Sequence, residues 1–217
     1  MRKTLLLLTT MALALLVAGG VALADHLANT VQCPGSANNG YCFGTEESDH
    51  MYGTTEPGIG DAQLDIIVGF GGDDQVEALG NNDYVEGGEG NDTIYGGEGG
   101  DQALWAGPGN DRVFGEAGDD WIWGQEGDDF LHGGPGNDVI ENETGTPDVG
   151  AGKDQVRAGG GNDTIGTGRY RDDGSYSKGD GYVDTVDCGS GTDTVYFEKG
   201  VDTISANCEI RERYKKK

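Results

Sequence analysis

Polar and apolar positions along this chain recur with a period of nine. From Gly87 the residues read GGEGNDTIY, and from Gly96 GGEGGDQAL. After one extra residue, Trp105, the frame continues as AGPGNDRVF, GEAGDDWIW, GQEGDDFLH and GGPGNDVIE, ending at Glu141. Upstream, Gly69 opens GFGGDDQVE, Ala78 opens ALGNNDYVE, and Gly60 opens a looser copy, GDAQLDIIV. Aligned on position six, the nine rows place Asp65, Asp74, Asp83, Asp92, Asp101, Asp111, Asp120, Asp129 and Asp138 in one column. The aspartates define the alignment, so position eight tests it. It holds Ile67, Val76, Val85, Ile94, Ala103, Val113, Ile122, Leu131 and Ile140. All nine are apolar in a chain that is 35% apolar. A disordered low-complexity sequence has no reason to produce such a column.

The last three residues of each row read as a short strand, with position eight inward and positions seven and nine outward. Glycine at positions one, two and four supplies tight-turn backbone angles. Position five carries Asp73, Asn82, Asn91, Asn110, Asp119, Asp128 and Asn137, residues that also tolerate unusual turn conformations. Weaker rows extend the frame on both sides. Gly44 to Tyr52 carries Asp49 and Met51, Val149 to Arg157 carries Asp154 and Val156, and Ala158 to Gly166 carries Asp163 and Ile165. Three further rows run from Gly179 to Ser205, with Asp184, Asp193 and Asp202 at position six and Val186, Val195 and Ile204 at position eight. Segments 53–59, 142–148 and 167–178 break the frame and are expected to leave it as loops.

GGEGNDTIY and GGPGNDVIE match the GGxGxDxUx nonapeptide, and the chain resembles the RTX, or haemolysin-type, calcium-binding repeat proteins. The resemblance spans roughly residues 44–205 and is strongest in 69–141. It implies an all-β fold, a right-handed parallel β-roll with two nonapeptides per coil. Each repeat would be a six-residue calcium-binding turn followed by a three-residue strand. Strands stacked about 4.8 Å apart would set Asp74 over Asp92, Asp83 over Asp101, Asp111 over Asp129 and Asp120 over Asp138. Across the extra residue, Asp92 would meet Asp111 and Asp101 would meet Asp120. Stacked carboxylates repel unless a cation lies between them. Calcium suits such a gap, because it accepts six to eight oxygens in flexible geometry; magnesium, strictly octahedral, fits less well. Zinc is not expected, since the only histidines are His26, His50 and His132. The expected metal ligands are Asp65, Asp74, Asp83, Asp92, Asp101, Asp111, Asp120, Asp129, Asp138 and Asp163. They would hold several calcium ions, about five to eight.

Energetics make the ion structural. One apolar side chain per nine residues, at about 25 cal/mol per Å2, cannot offset the ordering of so many glycines. The expected metal-free chain is largely unfolded and the loaded chain rigid.

Composition adds a compartment. Arg2 and Lys3, the apolar run from Leu5 to Val17 and Ala22-Leu23-Ala24 form a signal-peptide pattern over residues 1–24. An uncleaved anchor is the alternative; after cleavage no membrane span is expected. The mature chain is therefore expected to be extracellular, either released or associated with the cell surface. Four cysteines in an exported chain should pair, and three connectivities are open. The coil geometry of the resemblance favours Cys33 with Cys42 in an N-terminal cap (25–43) and Cys188 with Cys208, about one coil apart. The roll would then occupy 44–166, with a loop at 167–178. Residues 179–217 would hold the last repeats, the second cap and a solvated basic tail from Arg211.

Net charge is −25, which excludes nucleic acid as a partner. The chain has no HExxH, no GxSxG and no cysteine expected to be free beside a histidine, so no enzyme is expected; one built on the roll surface is the least favoured reading. Tyr84, Tyr95, Phe114, Trp121, Trp123 and Phe130 fall on outward positions seven and nine, with Trp105 outside the frame. Tyr84, Trp121 and Trp123 would share one face, and Tyr95, Phe114 and Phe130 the other. They suggest either cross-strand packing or a face for a glycan or cell-surface partner. The expected function is a secreted, monomeric calcium-binding repeat protein with a structural or surface role. An adhesin-like module is the alternative.

Overall fold

The computed structural model describes residues 22–23, 30–33, 41–55, 64–141, 152–170, 176–179, 181–197 and 201–213. Of the expected signal peptide, only Ala22 and Leu23 lie among them, as a strand beside Cys42 and Phe43. The 142–148 insertion lies outside them.

All regular structure among these residues is β. The strands begin with β1 (Ala22–Leu23), β2 (Thr30–Gln32), β3 (Tyr41–Phe43), β4 (His50–Thr54), β5 (Ile66–Gly71), β6 (Gln75–Leu79) and β7 (Tyr84–Glu89). They continue as β8 (Thr93–Glu98), β9 (Ala103–Trp105), β10 (Arg112–Ala117), β11 (Trp121–Trp123), β12 (Phe130–Pro135), β13 (Val139–Glu141) and β14 (Gln155–Gly160). The last are β15 (Thr164–Gly166), β16 (Gly168–Tyr170), β17 (Tyr176–Gly179), β18 (Thr185–Asp187), β19 (Thr194–Phe197), β20 (Thr203–Ile204) and β21 (Ile210–Arg213). Odd-numbered strands β1 to β15, then β19 and β21, form one ten-stranded sheet. Even-numbered strands β2 to β14, then β18 and β20, form a nine-stranded sheet. Every pairing within these two sheets is parallel. Successive strands thus alternate between the two sheets, and one coil consumes two repeats.

The inward column is the core. Met51, Val76, Ile94, Val113 and Leu131 stack under one sheet, and Ile67, Val85, Leu104, Ile122 and Ile140 under the other, all fully buried. One expectation is corrected here. Ala103 does not occupy position eight of its row; Leu104 does, because it pairs with Val85 and Ile122. The extra residue of that row therefore falls at Gln102–Ala103, which together stand opposite Tyr84 and Asp83, not at Trp105. Trp105 is the outward position nine, aligned with Glu86 and Trp123.

Two disulfides close the ends, Cys33–Cys42 and Cys188–Cys208, each with Cα atoms 5.2 Å apart. All four cysteines are buried, so the bridges fill the core where a coil lacks a neighbour. Three boundaries differ from expectation. Gly53 and Thr54 continue β4 rather than entering a loop, since Thr54 pairs with Leu79. The 167–178 segment is not plain loop: β16 and β17 pair as an antiparallel hairpin. Arg211 to Arg213 belong to β21, which pairs with β19, so this part of the expected basic tail is strand.

Coil-to-coil contact favours glycine at position four, where Asn81 is an exception with φ of +107°. Gly118 has φ of +144°, and a Cβ there would press into the Gly99 carbonyl of the coil below. Gly118→Ala is expected to cost at least about 1 kcal/mol, read as a lower melting temperature of the calcium-loaded chain.

Candidate metal-binding columns

The two turn regions between the sheets each carry a column of aspartates. The first contains Asp49, Asp74, Asp92, Asp111, Asp129, Asp154, Asp184 and Asp202. Its members are linked because each main-chain N–H donates to Oδ1 of the next, from Asp49 to Asp74 at 2.7 Å through Asp111 to Asp129 at 2.8 Å. The second contains Asp65, Asp83, Asp101, Asp120, Asp138, Asp163 and Asp193, linked in the same way. It ends where the Asp193 N–H donates to Oε2 of Glu209 at 3.3 Å. Every aspartate pair anticipated from the repeat is brought together, including Asp92 with Asp111 and Asp101 with Asp120 across the extra residue.

The remaining polar atoms can be accounted for one by one. In the regular coils the aspartate carbonyl accepts the N–H of position seven one coil later, as Asp74 does from Thr93 at 2.8 Å and Asp101 from Trp121 at 3.1 Å. Main-chain N–H, main-chain oxygen and Oδ1 are thereby satisfied. Oδ2 is not. In Asp74, Asp83, Asp92, Asp101, Asp111, Asp120, Asp129, Asp138, Asp163 and Asp193 this oxygen is buried with no donor. A buried carboxylate oxygen without a partner costs free energy. The same lack repeats ten times in register, and it marks a place shaped for something that donates positive charge.

Burial drives the carboxyls of Asp74, Asp83, Asp92, Asp101, Asp111, Asp120, Asp129, Asp138 and Asp163 far above the ordinary 3.8. It pushes Asp83 up to about 8 and Asp129 to about 9. Asp74, Asp101, Asp111 and Asp138 rise to about 7, and Asp92, Asp120 and Asp163 to about 6. Hydrogen bonds from the preceding coil pull each one down, and neighbouring carboxylates in the column push most of them further up. No three His, Cys, Asp or Glu side chains converge among the described residues. A cation at Oδ2 would therefore complete its shell from turn carbonyls, which suits calcium's taste for mixed oxygens.

Asp65 departs from its row. Its Oδ2 accepts the Thr54 N–H at 2.6 Å and the Thr54 hydroxyl at 3.0 Å. Asp49 is closed similarly by Thr45 at 2.6 and 2.9 Å, and Asp202 accepts the Thr167 hydroxyl at 2.6 Å. Threonine thus ends the columns with hydrogen bonds. Conversely Asp193, absent from the expected ligand set, has the orphaned oxygen.

A second ladder escaped sequence reasoning. Side chains at position five accept the main-chain N–H of position five one coil later: Asp73 from Asn91 at 2.8 Å, Asn91 from Asn110 at 3.0 Å, and Asn110 from Asp128 at 2.8 Å. It runs opposite to the aspartate ladder, whose acceptors lie one coil later than their donors. The restriction of position five to Asn and Asp was its visible signal. The Asn91 N–H holds the exposed Asp73 carboxyl below the ordinary range.

A family profile, the RTX calcium-binding nonapeptide repeat in four copies, matches residues 59–85, 68–103, 105–140, 148–169 and 177–204. The chain belongs to this family. RTX repeats bind calcium, so the protein is a calcium-binding structural repeat protein, and the orphaned oxygens fall within the matched segments. No curated protein matches the chain. In this RTX roll the outward aromatics pack against one another. Tyr84, Trp105 and Trp123 meet edge to face with centroids 5.3 and 5.7 Å apart, and Trp121 lies 5.7 Å from Trp123. Trp123 Nε1 donates to Glu141 at 3.1 Å. Tyr95, Phe114 and Phe130 share the opposite sheet.

Proposed function

We propose that this chain is an extracellular roll that folds when calcium occupies the gaps between stacked aspartates, and that its role is structural. The observation that carries the reading is the row of ten buried Oδ2 atoms without donors. Four lie in the first column and six in the second, giving three gaps and five, eight at most for the ions. Asp74, Asp83, Asp92, Asp101, Asp111, Asp120, Asp129, Asp138 and Asp163 act as ligands together with Asp193, while Asp65 serves as a hydrogen-bonded end cap. Calcium supplies the positive charge that lets these carboxyls ionise inside the turns. The chain's own residues hold the coils in register through Oδ1 and position five.

Export fits the two disulfides and the signal-peptide pattern of residues 1–24, and extracellular calcium suits sites of about 0.1–1 mM affinity. No helix among the described residues is long and apolar enough to cross a membrane. The test is a calcium titration of residues 25–217 with disulfides intact, followed by circular dichroism and small-angle scattering. Calcium is expected to convert an expanded chain to a β-rich rod cooperatively between about 0.1 and 10 mM, with magnesium much weaker. A chain already compact in chelator would reject the reading. An adhesin-like role is the second reading, favoured by Trp121, which is 50% exposed at the end of the indole ladder.

A further inference from the structure

Between Thr4 and Gly168 the chain carries only three Lys or Arg residues, Arg112, Lys153 and Arg157. Two of them meet on the nine-stranded sheet. Register aligns Arg112 with Phe130 and His132 with Arg157 on adjacent strands. The Arg112 guanidinium carbon lies 5.0 Å from the Phe130 ring centroid and 5.7 Å from that of Phe114, and Arg157 lies 5.3 Å from Phe130. Both arginines are exposed, and the described residues place no carboxylate within ion-pair distance of either. That is unusual in a chain with 39 acidic residues. Positions seven and nine on β8, β10, β12 and β14 hold Thr93, Tyr95, Arg112, Phe114, Phe130, His132, Gln155 and Arg157, with no acid among them, while Glu98 and Glu116 lie toward the turn ends of β8 and β10. At these positions acids resume at Glu77, in register with Tyr95, and at Asp187, in register with Arg157, and Asp187 already accepts Asn207 at 2.6 Å.

We propose that this face binds a saccharide bearing carboxylate or sulfate groups, gripped by Arg112 and Arg157 over Phe114, Phe130 and Tyr95. Guanidinium forks stacked on aromatic rings keep their N–H edges free for bidentate contact with such oxyanions. Tyr95 and Phe114 lie nearly parallel, 9° apart in plane with centroids 5.0 Å apart. Stacked on each other at the spacing of the strands, they form an apolar ridge against which the C–H groups of a sugar can pack. A peptide partner is less suited, because the strands carrying the patch are paired on both sides and leave no edge for strand addition. The inference rests on calcium folding the roll, since Arg112, Phe130 and Arg157 sit on three successive strands. Ion binding also offsets the acidic turns that would repel a polyanion.

The experiment uses the full mature chain with calcium and four probes: a galacturonate tetrasaccharide, a sulfated tetrasaccharide, a neutral tetrasaccharide of glucose and a glutamate-rich peptide. Circular dichroism reports folding in every sample. Salt-sensitive binding of the uronate, the sulfated probe or both is expected, with little for the neutral one. Arg112→Gln with Arg157→Gln should weaken binding at least about tenfold while the calcium-induced fold persists. Whichever anionic probe binds tighter identifies the source of the oxyanion. Folded protein that binds neither anionic probe, binding unchanged in the double variant, or tighter capture of a glutamate-rich peptide would overturn the proposal. A wild-type chain already folded in chelator, with the same arginine-dependent binding, would instead reject the folding reading and leave the saccharide site standing.

Discussion

Asp120→Asn is expected to raise the calcium midpoint of folding about tenfold or more, and to reduce the number of ions bound. Asparagine keeps an oxygen for the Asp101 N–H, now 2.9 Å from Oδ1, so the ladder survives. What changes is the buried Oδ2, replaced by an amide nitrogen that repels a cation. Two gaps share that oxygen, the one to Asp101 and the one to Asp138. Asp65→Asn is the control, because Oδ2 of Asp65 already accepts two hydrogen bonds from Thr54. Nothing among the described residues donates to its other oxygen, so the amide can turn its carbonyl toward Thr54. Its midpoint should stay within about twofold of wild type. Calorimetric ion counts on both variants decide the matter. Equal counts and midpoints would dissociate the aspartate columns from calcium.

Acid is expected to substitute for calcium. In the metal-free roll, burial holds nine column carboxyls between about 6 and about 9, whereas in the unfolded chain they ionise near 3.8. Between those limits the folded state binds more protons than the unfolded one. Stability of the metal-free fold is therefore fully present below about pH 4 and is lost as pH rises through 6 to 9. In chelator, lowering pH from about 7.5 to about 5 should increase β-structure. With calcium present the same change should weaken ion binding, because each ion must displace protons. Far-ultraviolet circular dichroism tests the first outcome, and proton release on calcium addition the second. A chelated chain equally unfolded at both pH values would mean the columns are not protonated on folding.

Much of this architecture was legible because it is periodic and local. Position six and position eight recur within each nine-residue window, so the aspartate columns and the inward row could be read without knowing the fold. Features that depend on contact between coils could not. Ala103 and Leu104 are adjacent and both apolar, and only stacking on Val85 and Ile122 selects Leu104. The closure of Asp65 joins it to Thr54 across an eleven-residue separation within a break in the repeat. Direction was equally hidden: composition shows Asn and Asp at position five, but not that their acceptors point to the following coil. Arg211 to Arg213 carry no inward apolar residue, so their strand follows from pairing with β19 rather than from any pattern.

The spacing along the aspartate columns carries a consequence for how such a chain can be altered. Successive members lie 18 or 19 residues apart in the centre but 25 between Asp129 and Asp154 and 30 between Asp154 and Asp184. The hydrogen bond that joins them hardly notices, at 2.8 Å across the 18- and 25-residue steps and 3.0 Å across the 30-residue one. Rungs recognise one another by place within the coil and not by distance along the chain. Extra sequence added between Glu141 and Gly152 or between Tyr170 and Tyr176, or a duplicated coil, is therefore expected to leave the rungs on either side in place. A rod of this kind can be lengthened in units, and a foreign peptide or domain displayed from its flank.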